Sequence, residues 1–385
     1  MSTLPQIALV YDRVNTPYGG AEHVLEALHE LFPEAPLFTS VYDPTRAQWA
    51  KAFHVTPSWV QRLPFAKRFH RHYVGCMPLA FESFDLDDYE IVISVTSAEA
   101  KGILTKPHQL HLCYLLTPTR YLWSHPDEYR QSRLFELIKR PIFTYLKWWD
   151  RAAALRPDVY LPISKLVAQR CLLYYKREAR PALYPPVEQP KTPMTSLALP
   201  DELVDAQIEA GYYLVVARLV GYKKVERAVQ ACAQLRRPLV IIGDGPEYSR
   251  TASLISTLGT QAKMKLIRSV QSTGLAAYYK NCFAFLAPGE EDFGIAPLEA
   301  NTYGKPCMLH HKSGAAEISE HAVASIHIHE SSIEAVKAGI RQLEQHHWDS
   351  KRIAQTALQY NTKHFQKRFR AQVLQEWEAF TSSRR

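Results

Sequence analysis

The chain has 385 residues, a length that fits two or three ordinary domains, or one large pair sharing a cleft, and excludes a small peptide-like module. Hydrophobic residues make up 46% and charged residues 22%, and the longest charge-free run, 107–119, is too short to build a membrane-spanning helix. Forty-six Lys and Arg against 38 Asp and Glu leave a net charge of +8, which favours an anionic partner: nucleic acid, an anionic membrane surface or a phosphorylated small molecule.

The N-terminal MSTLPQIALVYDRV carries no basic segment ahead of a long apolar stretch, so no secretory signal is expected and a cytosolic chain is. Residues 7–11 (IALVY) are a short apolar run, followed by a polar turn with Gly19 and Gly20. Val24, Leu28, Leu31 and Phe32 then recur at helical spacing, so the opening reads strand, loop, helix. Residues 90–95 (EIVISV), 110–116 (LHLCYLL) and 159–163 (VYLPI) are further buried-strand runs with helical patterns between them. After Tyr184 comes PPVEQPKTPM, whose four prolines disfavour both helix and central strand and suggest a linker. Beyond it the alternation restarts, with strands at 212–217, 239–242, 265–268 and 283–287 and a helix at 225–235. Eleven of the fifteen glycines lie from Gly211 onward, so the halves differ in loop chemistry. The six cysteines are far apart with no C-x-x-C pair, which argues against a disulfide scaffold and a zinc site.

An α/β chain with two parallel sheets follows, their ligand-binding strand ends expected to face an interdomain cleft. The expected division is 1–186, completed by a C-terminal helix at 366–385, and 187–365.

Residues 287–318 (APGEEDFGIAPLEANTYGKPCMLHHKSGAAEI) are the most informative stretch. A strand ends at Pro288, a loop carries Glu290, Glu291, Asp292, Phe293 and Gly294, and a helix is expected to start near Pro297. Backbone N–H groups around Phe293, Gly294 and Ile295 suit a phosphate at the positive helix end. Glu291 and Glu299 offer carboxylates, each able to accept two hydrogen bonds from the vicinal hydroxyls of a sugar or ribose. Arg218 and Lys223 leave a predicted strand end together, as two cations that could neutralise a diphosphate leaving group. Taken alone, basic loop residues are more often simply solvated. Gly243 opens a tight turn after the 239–242 strand. Gly19-Gly20-Ala21-Glu22 lets backbone approach a phosphate or sugar closely, but it is not G-x-G-x-x-G, so an NAD enzyme is disfavoured.

Together Gly19-Gly20-Ala21-Glu22, residues 114–123 (YLLTPTRYLW), 184–187 (YPPV), Arg218 with Lys223, Gly243 to Pro246 and residues 291–299 (EDFGIAPLE) resemble, in order and spacing, the retaining glycosyltransferases of family 4, the group 1 glycosyltransferases. The resemblance spans most of the chain and implies the GT-B fold of two Rossmann-like domains, an N-terminal one for the acceptor and a C-terminal one for a nucleotide sugar. It gives Glu291, Glu299, Arg218 and Lys223 the donor sugar, ribose and diphosphate, with Gly19, Gly20, Gly243, Asp292, Phe293, Gly294 and Ile295 around the donor and Val270 near its base. It implies no cofactor and no catalytic metal, a UDP-glucose or GDP-mannose type of co-substrate, a saccharide or lipid-linked acceptor, and bacterial polysaccharide synthesis. Many members carry a histidine just before the Thr-Pro pair, where this chain has Leu116. Thr117, Thr119 and Arg120 are the polar candidates nearby, Arg120 being equally well placed for a structural ion pair. That departure keeps open a non-catalytic nucleotide-sugar-binding scaffold or sensor, and a phosphorylase or epimerase remains a third reading.

Lys67-Arg68-Phe69-His70-Arg71-His72, Lys139-Arg140, Lys147-Trp148-Trp149 and Arg151 interleave cations with aromatics. Such a pattern suits a peripheral protein at an anionic bilayer, and equally solvated charges over core tryptophans. RNA ranks behind both, because no nucleic-acid module accompanies the patch. The expected location is cytoplasmic, at the inner face of the membrane if the patch acts.

Overall fold

In a computed structural model the chain is described for residues 5–124, 126, 133–190, 197–258, 262–270 and 272–384, the side chains of 133–139 and 272–273 aside. Part of the expected proline linker, 191–194, and the Lys139 side chain lie outside the described residues. The chain folds as two compact units: Met1–Pro186 with Thr362–Arg385, and Val187–Asn361.

The first unit holds β1 (Ile7–Tyr11), β2 (Leu37–Thr39), β3 (Val55–Pro57), β4 (Ile91–Thr96), β5 (Leu110–Leu115) and β6 (Val159–Pro162) in one sheet ordered β3-β2-β1-β4-β5-β6. The second holds β7 (Tyr212–Val216), β8 (Leu239–Ile242), β9 (Met264–Ile267), β10 (Cys282–Ala287), β11 (Cys307–His310) and β12 (Ser325–Ile328), ordered β12-β11-β10-β7-β8-β9. Every pairing is parallel, for example Leu9 with Ile93 and Phe285 with Leu214. Parallel strands need covered faces, and β1, β4, β5 and β8 are buried along their whole length, which is why they read as unbroken apolar runs. In both sheets the fourth strand pairs with the first on the side opposite the second. Such a reversal point, here at β1/β4 and at β7/β10, is where open parallel sheets take their ligands, beyond the strands' carboxyl ends.

Helices cover the sheets with their apolar stripes. In the helix Val225–Leu235, Ala228, Val229 and Cys232 turn inward and join Val215, Ile241, Leu286 and Ile340 in the core of the second unit. The C-terminal helix Thr362–Ser382 packs on the first unit: Phe365 and Phe369 meet Tyr114 of β5 at ring distances of 5.9 and 5.6 Å, and Arg180 forks onto Glu376 from Nε and Nη2, each at 2.7 Å.

Some expectations need correction. The C-terminal helix begins at Thr362, ahead of the expected 366, and the units divide at 361/362 rather than after 365. Strands β2, β3, β11 and β12 were not expected, being three or four residues long and, in CMLH and SIHI, mixing His and Cys into the apolar pattern. The six cysteines are all free. Among the described residues no helix is long and apolar enough to cross a membrane.

Candidate functional site

The candidate site lies in the second unit, where the loops after β7, β8, β10 and β11 gather at the reversal point. After β7 the chain runs through Arg218, which is exposed, to a 3-10 turn at Gly221–Lys223. Its backbone is fixed from the neighbouring loop: Leu219 N–H donates to the Asp244 carbonyl at 2.9 Å and Glu247 N–H to the Leu219 carbonyl at 3.1 Å. Close packing demands glycine on both sides of this loop. A Cβ at Gly243 would stand 1.9 Å from the Ala217 carbonyl oxygen, and one at Gly289 would stand 2.2 Å from that of Tyr222.

The Gly289 contact seats the loop after β10 directly on the loop after β7, and the side chains meet there. Lys223 Nζ forms an ion pair with Glu291 Oε2, both side chains mostly shielded from solvent at 17% and 12% exposure. The loop after β11 ties down the other side, since Gly314 N–H donates to the Glu291 carbonyl at 3.1 Å and Ala315 N–H to that of Phe293 at 2.6 Å. Asp292 and Phe293 are consequently buried. Gly294, at φ 91°, ends the loop as N-cap of the helix Ile295–Thr302, so the helix starts at Ile295 rather than near Pro297. No side chain caps that terminus, and its positive end is presented by backbone alone.

Glu299 lies in the same helix and accepts a hydrogen bond from Tyr279 Oη at 2.7 Å. Burial raises the Glu299 carboxyl above its ordinary value; the Tyr279 bond opposes that shift and the nearby Glu188 adds to it. Tyr279 was not singled out from sequence, and its only signal there was an aromatic on the buried side of a helix. His310, expected as an ordinary loop residue, is the last residue of β11 and is buried, and desolvation lowers its pKa. Ser313, in the next turn, is buried with no hydrogen-bond partner for its hydroxyl. Val270 follows β9 half-buried, its Cγ1 2.8 Å from the position a Cβ would take at Gly274, so it packs against the helix Ser272–Asn281. Among the described residues no group of three His, Cys, Asp or Glu has the geometry of a metal site.

The residues expected in the first unit are placed separately. Gly19 and Gly20 are exposed at the N-terminus of the helix Gly20–Leu31, and Glu22 in its first turn accepts from Tyr11 Oη and Thr16 Oγ1, each at 3.1 Å. Thr117 is buried, Leu116 and Arg120 are half-buried. Thr119 belongs to the interior: its hydroxyl donates to Asp150 Oδ1 at 2.7 Å, beside Lys101 Nζ, 2.5 Å from the same oxygen, while Trp123 Nε1 donates to Asp150 Oδ2 at 2.7 Å. Lys101 and Asp150 are both 1% exposed, so this is a framework ion pair, and Thr119 is committed to it rather than open to a sugar. The neighbouring Asp12, at the start of the loop after β1, is also internal, accepting from Thr96 Oγ1, Ser97 N–H and Ala100 N–H at 2.7 to 2.9 Å.

Residues 206–360 match the family described as glycosyl transferases group 1. The chain is 24% identical over 230 residues to an alpha-D-kanosaminyltransferase of Streptomyces kanamyceticus, covering 54% of each. In fold it is similar to sucrose-phosphate synthase of Thermosynechococcus elongatus, with a TM-score of 0.72 at 15% identity over 97% of this chain and 100% of the other. It is also similar to the Anabaena protein HepE in complex with UDP-glucose, with a TM-score of 0.67 at 14% identity over 96% of this chain and 99% of the other. The chain spans about half, or less, of the length of the curated relatives it matches. With its two six-stranded parallel sheets, the fold is GT-B, of two Rossmann-like units.

Proposed function

We propose, from the match of residues 206–360 to the group 1 glycosyl transferases, that this chain is a glycosyltransferase that moves a hexose from a nucleoside diphosphate sugar to a saccharide or lipid-linked acceptor, with retention of configuration, in polysaccharide biosynthesis. The observation that carries the reading is the Lys223–Glu291 pair, which sets a cation and a carboxylate side by side at the reversal point, next to an uncapped helix terminus.

In this reading the donor diphosphate draws the Lys223 ammonium away from Glu291, and Arg218 joins it as negative charge builds on the leaving phosphate. The backbone at Gly294 and Ile295 adds the positive end of its helix. Glu291, released from the ion pair, accepts hydrogen bonds from the sugar hydroxyls, and Glu299, steadied by Tyr279, accepts from those of the ribose. The bond from the anomeric carbon to the phosphate oxygen breaks as that from the acceptor oxygen forms on the same face, and the acceptor proton passes to the departing phosphate. Since the chain's own cations carry the charge compensation, the reading requires no divalent ion. The second unit is the donor unit, the first the acceptor unit. A UDP- or GDP-linked glucose or mannose is the donor class, and the UDP-glucose bound by HepE favours the uridine arm.

A thermal-shift panel of UDP, GDP, ADP and their hexose conjugates tests the donor site without an acceptor, because a ligand that binds only the folded state raises the melting temperature. Stabilisation by one base family, lost in Lys223→Ala, is expected. No response to any nucleotide sugar would overturn the reading.

A further inference from the structure

The basic and aromatic segments of the first unit take no part in the proposed transfer, and the structure shows what they present to solvent. Trp148 and Trp149 are neighbours with opposite fates. Trp149 is 4% exposed and donates from Nε1 to Glu82 at 2.7 Å, whereas Trp148 is 68% exposed. Ile142 and Tyr145, at 41% and 44% exposure, precede Trp148 at three-residue steps along the helix Arg133–Ala153, so the three form a stripe on its outer side. A sheltered core tryptophan was one of the two readings the sequence left open. It holds for Trp149 and fails for Trp148.

The second segment adds a conformational oddity. Phe65 is 78% exposed and holds the left-handed backbone conformation, φ 54° and ψ 14°, as N-cap of the short helix Ala66–Phe69. A bulky residue gains nothing in folding from a left-handed backbone with its ring in water, and such outliers gather where a surface has work to do. Phe69, 45% exposed, stands beside it under Arg68, whose guanidinium lies 5.4 Å from the ring centre. The two segments adjoin: a Cβ at Gly75 would lie 3.6 Å from Ile142 Cγ2, and Tyr73 Oη ties the stretch back to the Pro64 carbonyl at 2.8 Å.

Charge selects the occupant of this surface. Lys67, Arg68, Arg71, Arg140 and Lys147 are exposed around the apolar side chains. Residues 62–76 contain no Asp or Glu, and in 140–151 the one acid, Asp150, is buried against Lys101. A second copy of the chain would bring like charges face to face across a two-fold axis, so self-association is disfavoured. Aromatic rings and an isoleucine ringed by cations, without acids, match a bilayer interface, where rings settle at headgroup depth and each cation gains from anionic lipid.

We propose that residues 65–71 and 140–148 form a docking surface for a bilayer rich in anionic phospholipid, which the first unit grips peripherally through Phe65, Tyr145 and Trp148. The proposal rests on no part of the transfer reading, and its test reads binding alone.

The full chain is floated with phosphatidylcholine vesicles and with vesicles that also contain phosphatidylglycerol, across a salt series. Binding to the anionic vesicles alone is expected, weakening as salt screens the cations. Arg68→Ala and Lys147→Ala each lower partitioning about fivefold. Phe65→Ser with Trp148→Ser abolishes it while leaving the melting temperature unchanged, since both rings stand in water. The proposal is overturned by equal binding to neutral and anionic vesicles or by vesicle binding that survives the aromatic double substitution. Absence of vesicle binding also overturns it, as does self-association in sedimentation that Phe65→Ser disperses without any vesicle binding.

Discussion

Lys223 and Glu291 are joined by an ion pair although they belong to different loops, one after β7 and the other after β10. The pair exists because Gly289 lets one backbone lie on the other, so a steric allowance in the sequence becomes an electrostatic arrangement in the fold. A diphosphate must compete with Glu291 for the ammonium, which couples charge capture to release of the carboxylate. Lys223→Ala is therefore expected to lower kcat/KM for the nucleotide sugar by about 100-fold or more, the scale found when one charge-stabilising donor is removed from an active site. Glu291→Gln is expected to lower it as well, and the double variant to lose less than the product of the single losses, because the residues act as a unit. Steady-state kinetics of the four proteins decides this, and near wild-type transfer in either single variant would remove the pair from the mechanism.

Tyr279 opposes the upward shift that burial imposes on the Glu299 carboxyl. Burial raises that carboxyl and the tyrosine hydrogen bond pulls it back, so Tyr279→Phe pushes it higher still. If ionised Glu299 accepts from the ribose, donor binding is lost as pH falls through its pKa, and in the variant that loss begins at a higher pH. The expected outcome is a donor KM that rises on acidification earlier in the variant than in the wild type, measured as a pH series of steady-state kinetics for the two proteins. Stability runs the other way. A carboxyl raised above its ordinary 4.5 in the folded state stabilises least once ionised, so Glu299→Gln is expected to raise the melting temperature at neutral pH and to do so less in acid.

The parts of this fold that sequence made legible are those whose physics is local. Residues 7–11, 239–242 and 225–235 were recognisable because a buried parallel strand needs an apolar run and a helix needs a period, and each lies where the pattern placed it. Glu291 and Glu299 could be singled out together because they are close in the chain, on one loop and the helix that follows it. What escaped is long-range. Nothing local marks Lys101 and Asp150, 49 residues apart, as a buried pair, and Thr119, expected near the sugar from its motif, is drawn inward by them. Tyr279 acts through a side chain twenty residues away, which no spacing rule announces.

Lys101 is expected to be the most costly single side chain to remove from the first unit. Its ammonium also donates to the Ala98 carbonyl at 2.7 Å and to Thr119 Oγ1 at 3.2 Å, so Lys101→Met strands Asp150 with no cation and unmakes the contact between three segments. Breaking a buried pair from one side costs about 3–5 kcal/mol. Urea denaturation should show that loss, whereas a change below about 1 kcal/mol, the scale of an exposed pair, would mean that solvent reaches the site.

Acid sensitivity should trace to His111 on β5. It is fully buried, with Nε2 2.8 Å from Ser94 Oγ, and burial, aided by the Arg156 charge, lowers its pKa from 6.5 to about 3. The unfolded chain takes up a proton below 6.5 while the folded imidazole refuses it until about 3, so the stability held above 6.5 is lost as pH falls through that window. The slope owed to this residue is about 1.4 kcal/mol per pH unit. His70, lowered to about 3 by burial and then by Arg13, Arg71 and Arg46, adds a second decline of the same sign. Denaturation at a series of pH values should therefore give a steep fall in the wild type and one proton's worth less in His111→Gln, whatever that substitution costs in absolute stability. Parallel curves for the two proteins would show that His111 titrates as it does in water and is not shielded within the sheet.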